Sequence, residues 1–231
     1  PNDPFPWFYS GLILQLDHNK NMAEKNYLAA LEIDPSYQPA INGLITIYKS
    51  SNNKEDVIKK LESISNKIPA IKDEIIKLSI IEASKGKNRS RSEKYYEKAI
   101  KYIDQELLLD PTNYSRLLQK AMLQEEHEKK QEAMRTLEEA LLHHPDDERI
   151  IYYLAILNSG YGQKKKALSL MEQIIRINPE NVDALNYVGY YYAEEKPEKI
   201  EEAEKLIKKA LQIMPESYYI MDSMGWVLYK K

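Results

Sequence analysis

The chain has no cysteine. That absence excludes disulfide staples, thiol nucleophiles and cysteine-ligated zinc. Glycine is scarce at 7 of 231 residues, and phenylalanine, at 2, is far outnumbered by 18 tyrosines. A chain that places Tyr where Phe would serve keeps many rings with one wet end. No apolar run approaches the roughly 18 residues that mark a membrane-crossing helix. The opening residues, PNDPFPWFYS, lack the basic-then-apolar layout of a secretion signal. Neither sign of charge dominates: 33 basic residues face 36 acidic ones, for a net charge of −3. A general nucleic-acid binder is excluded on that ground. No glycine-rich phosphate loop, dinucleotide fingerprint or nucleophile elbow occurs. The sequence therefore predicts no enzyme and no cofactor.

What is present is a repeat. Pro35, Pro69, Pro111, Pro145, Pro179 and Pro215 are spaced by 34, 42, 34, 34 and 36 residues. Each closes an amphipathic run of helical period. Proline ends one helix and suits the first turn of the next. DPSYQ, DPTNY, HPDDE, NPENV and MPESY place cap-forming residues at that turn. Aligned on the prolines, the first helices read Trp7-Ser10-Gly11-Leu14, Ile41-Leu44-Ile45-Tyr48, Ile151-Leu154-Ala155-Asn158, Leu185-Val188-Gly189-Tyr192 and Met221-Met224-Gly225-Leu228. The second helices read Ala23-Tyr27-Ala30, Val57-Leu61-Ile64, Ala99-Ile103-Glu106, Ala133-Leu137-Ala140, Ala167-Met171-Ile174 and Ala203-Ile207-Ala210. Small residues at Gly11, Ala155, Gly189 and Gly225, with alanines opposite them on the second helix, let paired helices approach closely.

This pattern resembles the tetratricopeptide repeat family, with its W-x2-L-G-x2-Y…A-x3-F…P signature. The resemblance covers the whole chain. It implies an all-α, right-handed α-solenoid, or superhelix, of helix-turn-helix repeats, because no lone pair of helices covers its own apolar surface. The expected organisation is one array over residues 1–231. Its units span about 4–37, 38–71, 72–113, 114–147, 148–181 and 182–217, with a lone first helix at 218–231. That last helix has no second helix after it, so a longer native chain is expected, as is end-to-end self-association through Met224 and Leu228. The third unit is longer by eight residues near SKGKNRSRSEKYY.

The resemblance also says where function lies. Tetratricopeptide proteins bind peptides along the side of the first helix that faces away from its partner. The residues so placed are Tyr152, Asn186, Tyr190, Asp222 and Trp226, with Tyr153 and Tyr187 one position over, on the rim. Leu118, Met122, Ile156, Arg149 and Asp183 share that side. Phe8 and Leu12 stand where a carboxylate clamp for chaperone tails needs Lys and Asn, so that ligand is not expected. The function implied is a non-catalytic scaffold holding a protein or peptide partner. The alternative is the recruiting arm of a larger enzyme, or a cytoplasmic assembly chaperone. Lys85, Lys87, Arg89 and Arg91 form a secondary basic run, readable as an anion contact or as a solvated inter-helix loop. His127-Glu128-Lys129-Lys130-Gln131 misses the second His of a zinc helix. His143 and His144 read as helix-end caps, so no metal is expected.

ALNYVGYYYAEE and IMDSMGWVLYKK, in tandem, are similar to the last repeats of bacterial outer-membrane-associated tetratricopeptide lipoproteins. That likeness implies an extracytoplasmic bacterial protein, held to the membrane only by a lipid anchor outside these residues. A cytoplasmic protein is the alternative.

Overall fold

The structure, a computed structural model, describes residues 3–51, 53–85 and 88–231. Among them are thirteen α-helices and no strand. The chain divides into two compact units, Pro1–Leu109 and Asp110–Lys231.

The first unit holds three antiparallel pairs: α1 (Phe5–Leu16) with α2 (Lys20–Ile33), α3 (Gln38–Lys49) with α4 (Lys54–Ile64), and α5 (Ile71–Ala83) with α6 (Arg89–Leu109). Asn19 and Asn53 start α2 and α4 by accepting the Met22 and Asp56 amides, which satisfies donors a helix otherwise leaves free. The scarcity of glycine has a local meaning here. The fully buried Tyr27 ring lies against both Gly11 and Gly43. A Cβ would stand 2.8 Å from the ring at Gly11 and 2.5 Å from it at Gly43. The Tyr27 hydroxyl, kept at the edge, donates to Gln15 Oε1 at 2.7 Å. Trp7, the aromatic of the repeat signature, is 46% exposed.

The added length of the third repeat is helix rather than loop. α6 runs for 21 residues, whereas α2 and α4 have 14 and 11. Its first turns carry Arg91 and Lys94 back over the preceding helices. Glu82, whose side chain is 2% exposed, is held by Lys85 and by Arg91 Nη2 at 3.0 Å. Lys94 pairs with Glu55 at 2.8 Å.

The second unit repeats the arrangement: α7 (Tyr114–Glu126) with α8 (Lys130–His143), α9 (Glu148–Gly160) with α10 (Lys164–Ile177), and α11 (Val182–Glu195) with α12 (Ile200–Ile213), then α13 (Tyr218–Lys230). Asn113, Asp147 and Asn181, each two residues after a repeat proline, cap α7, α9 and α11. The two residues added at EEKPEK form a 3₁₀ turn, Pro197–Lys199. Ala133, Ala167 and Ala203 are fully buried. At Gly189 a Cβ would stand 2.6 Å from Ile207 Cγ1 and 3.1 Å from the Ala203 carbonyl. α13 buries Ile220, Ser223 and Val227 against the preceding pair, while Met221 and Leu228 are 45% and 57% exposed. Met224 is half-buried at the edge of that core.

His144 departs from the expected role. Its ring does not cap its own helix. Nε2 donates to the Thr112 carbonyl at 2.8 Å, tying the end of α8 to the turn before α7.

Candidate functional site

The site is built from repetition within the second unit. Because each first helix starts from an equivalent turn, equivalent positions form rows across α7, α9, α11 and α13. The fifth residues are Leu118, Tyr152, Asn186 and Asp222; the ninth are Met122, Ile156, Tyr190 and Trp226. The second residues include Arg149, Asp183 and Tyr219.

The ninth-residue row is apolar on every helix and open to solvent. Met122, Ile156 and Tyr190 are 53%, 39% and 44% exposed. Trp226 is half-buried. Its Nε1–H donates to Glu194 Oε2 at 2.8 Å, and its ring stacks on Tyr229 with centroids 5.5 Å apart. Lys230 Nζ sits 4.8 Å above it. Trp226 is thus oriented by α11 before any ligand arrives.

A cleft of about 380 Å³ opens among Tyr114, Leu118, Met122, Tyr152 and Tyr153. Burial raises the pKa of the Tyr152 hydroxyl, and the Asp183 charge raises it further. The hydroxyl therefore stays a neutral donor. Burial does the same to Tyr114 and Tyr153. The charges at the edge of the cleft are partly spent on one another. Arg149 pairs with Asp147 at 3.1 Å and lies 4.3 Å above the Tyr114 ring. Glu148 Oε2 accepts from Asn178 and Asn181 at 3.1 and 2.9 Å. Asp183 Oδ1 accepts the Tyr219 hydroxyl at 2.9 Å.

The Tyr114 hydroxyl and Asn186 Oδ1 are buried with no partner among the described residues, as are Ser79 Oγ, the Tyr95 hydroxyl, Asn158 Oδ1 and Ser217 Oγ. A buried polar atom left unsatisfied costs about 1–3 kcal/mol. Of the remaining predicted residues, Tyr187 is half-buried and donates to Ser159 Oγ at 3.0 Å, beside Tyr190 in a smaller recess of about 120 Å³. Asp222 is exposed on the fifth-residue row of α13.

No family model matches the chain. A TPR repeat-containing protein from Pseudomonas aeruginosa is 37% identical over 73 residues, which span 30% of this chain and 12% of that protein. Among solved structures, the C-terminal part of a TPR repeat-containing protein from Cytophaga hutchinsonii superposes with a TM-score of 0.68 at 13% identity. The superposition covers 96% of this chain and 88% of the other. A tetratricopeptide repeat protein from Parabacteroides merdae gives a TM-score of 0.57 at 23% identity, over 69% of this chain and 59% of its own.

The chain has the tetratricopeptide-repeat fold.

The basic run belongs to the first unit. Lys85 and Arg91 hold Glu82, Arg89 is exposed at the start of α6, and Lys87 lies outside the described residues. Among the described residues no group of three or more His, Asp or Glu is placed to hold a metal, and no helix is long and apolar enough to cross a membrane. Sequence reasoning missed Tyr114. It opens α7, and only the second, fifth, ninth and twelfth positions of each first helix had been singled out. The signal was available in DPTNY, where the ring follows the cap directly and turns back over the cleft.

Proposed function

We propose that this tetratricopeptide-repeat protein is a non-catalytic scaffold that holds a partner peptide or helix along α7, α9, α11 and α13. The observation that carries the reading is the ninth-residue row. Four large apolar side chains stand at one equivalent position of successive helices, three of them well exposed. A scaffold with no partner on that side would have no reason to keep them out of its core, and contiguous exposed apolar side chains commonly mark contact sites. Tyr152 and Tyr190 supply rigid rings, the kind of residue that dominates binding energy. Asn186 supplies an amide on the fifth-residue row, and Asp222 a carboxylate for a basic partner residue.

The Pseudomonas relative supports a bacterial source. The likeness of the last two repeats to outer-membrane-associated lipoproteins supports a position outside the cytoplasm, reached through a lipid anchor carried by other residues.

The test is capture of a partner by the wild-type chain and by two sets of variants. Tyr152→Ala and Tyr190→Ala should each weaken capture by about 2 kcal/mol, roughly thirtyfold. Lys165→Ala and Arg176→Ala, on the second helix of a repeat, should leave it intact. The opposite pattern would move the contact to the outer face and overturn the reading.

A further inference from the structure

The cleft on α7 and α9 joins two kinds of lining. Leu118 and Met122 give it an apolar wall, and Tyr114, Tyr152 and Tyr153 add three rings. At about 380 Å³ it lies in the size range of ordinary ligand sites, with room for one long side chain.

Its edge is acidic. Glu148 and Asp183 both line it, and each carboxylate is held by neutral groups. Glu148 accepts from the side-chain amides of Asn178 and Asn181. Asp183 accepts from the Tyr219 hydroxyl. Such donors orient the carboxylates and leave their charge in place. Arg149 also lines the cleft, but it pairs with Asp147 at 3.1 Å. Those two cancel, and the charges of Glu148 and Asp183 remain.

The rings agree in sign with the edge, because an aromatic face attracts cations. Arg149 shows the effect within the chain: its guanidinium lies 4.3 Å above the Tyr114 ring. Burial raises the pKa of Tyr152, and the Asp183 charge raises it further, so that ring and that carboxylate act on one space. An acidic guest would be repelled here. A wholly apolar guest would cover the two carboxylates without giving them a partner, which is costly. A lysine or arginine side chain matches every part, with a methylene stem for the apolar wall and a positive head for the rings and the edge.

We infer that the cleft takes a basic side chain, lysine or arginine, of the bound segment, its stem against Leu118 and Met122 and its head against Tyr152, Asp183 and Glu148. The inference rests on the groove reading above and names the residue that the groove selects.

The probe is a library of random twelve-residue peptides displayed on phage and selected on the immobilised whole chain. The strongest binder is made as a free peptide and titrated by calorimetry into wild type, Tyr190→Ala, and a double variant, Glu148→Gln with Asp183→Asn. The amides keep the shape of the carboxylates and remove their charge, and circular dichroism checks that each variant is folded. Each Lys or Arg of the binder is then changed in turn to norleucine, which keeps the stem and drops the charge. One such change should weaken binding to wild type roughly tenfold, the scale of a hydrogen bond to a charged group, and should have no effect in the double variant. If Tyr190→Ala weakens the binder but no norleucine change separates wild type from the double variant, the groove reading stands and the basic-side-chain inference is wrong. If no peptide is selected, or the one selected is indifferent to every variant, the inference and the groove reading fail together.

Discussion

Gly189 and Gly225 allow a test of how far one motif carries one meaning. Both are the eighth residue of a first helix, and both fill the small position of the repeat. In α11 the position is closed. A Cβ on Gly189 would stand 2.6 Å from Ile207 Cγ1 and 3.1 Å from the Ala203 carbonyl. Ile207 is fully buried and β-branched, so its side chain has few rotamers to retreat into. The carbonyl is backbone, so α12 itself would have to move. Overpacking of this kind costs about 1–3 kcal/mol. Alanine returns about 1 kcal/mol over glycine within a helix. With backbone as one of the obstacles, the upper part of the cost applies, and the expected net loss for Gly189→Ala is about 1–2 kcal/mol. In α13 the position is open, with nothing within 4 Å of the added Cβ. Gly225→Ala should therefore stabilise by about 0.5–1 kcal/mol, from helix propensity alone. Thermal unfolding followed by circular dichroism reads both. At about 2–4 °C per kcal/mol for a chain of this size, the midpoint should fall by about 2–8 °C in the first variant and rise by about 1–4 °C in the second. A Gly189→Ala chain that melts at or above the wild-type temperature would show that α11 and α12 separate freely, and the close-packing argument would be lost.

Arg91→Met should lower the stability of the first unit by about 1–3 kcal/mol, because it leaves the buried Glu82 carboxylate with one cation in place of two; denaturant titration giving an unchanged midpoint would count against it. Lys208 and then Lys231 hold the Glu204 carboxyl down at about 2, below its ordinary 4.5. Since the folded value is the lower one, the stability this group contributes is present above about pH 4.5 and is lost as pH falls towards 2. A Glu204→Gln chain should thus be weaker than wild type near neutrality and match it near pH 2; a difference that does not change with pH would refute the pairing. The exposed Met221 and Leu228 on α13 predict concentration-dependent association that Leu228→Glu suppresses. Sedimentation that finds the wild-type chain monomeric at all concentrations would dispose of that expectation.

The helix pairs were legible in the sequence because their causes are local. Six prolines at near-constant spacing stop helices through a missing N–H. After three of them an Asx residue two places later caps the next helix, and the alternation of small and large side chains repeats with the helical period. The same regularity placed Tyr152, Asn186, Tyr190 and Trp226 at equivalent positions of their helices without any coordinates. Tertiary structure decided what each position means. Eight added residues could have been loop or helix; contacts of Arg91 with Glu82 and of Lys94 with Glu55 accompany the helical answer, and the partners lie 9 and 39 residues away. His144 could have capped its own helix; the Thr112 carbonyl, brought near by packing, takes its ring instead. Trp226 reads as a free groove aromatic until Glu194, on the preceding first helix, fixes its indole. Gly189 and Gly225 are the same letter in the same motif, yet one is closed by Ile207 and the other is open. Local sequence sets periods and caps, because those depend on neighbours a few residues away. Which side chain meets which across helices depends on shape at distances of a few ångströms, and only the packed chain supplies that.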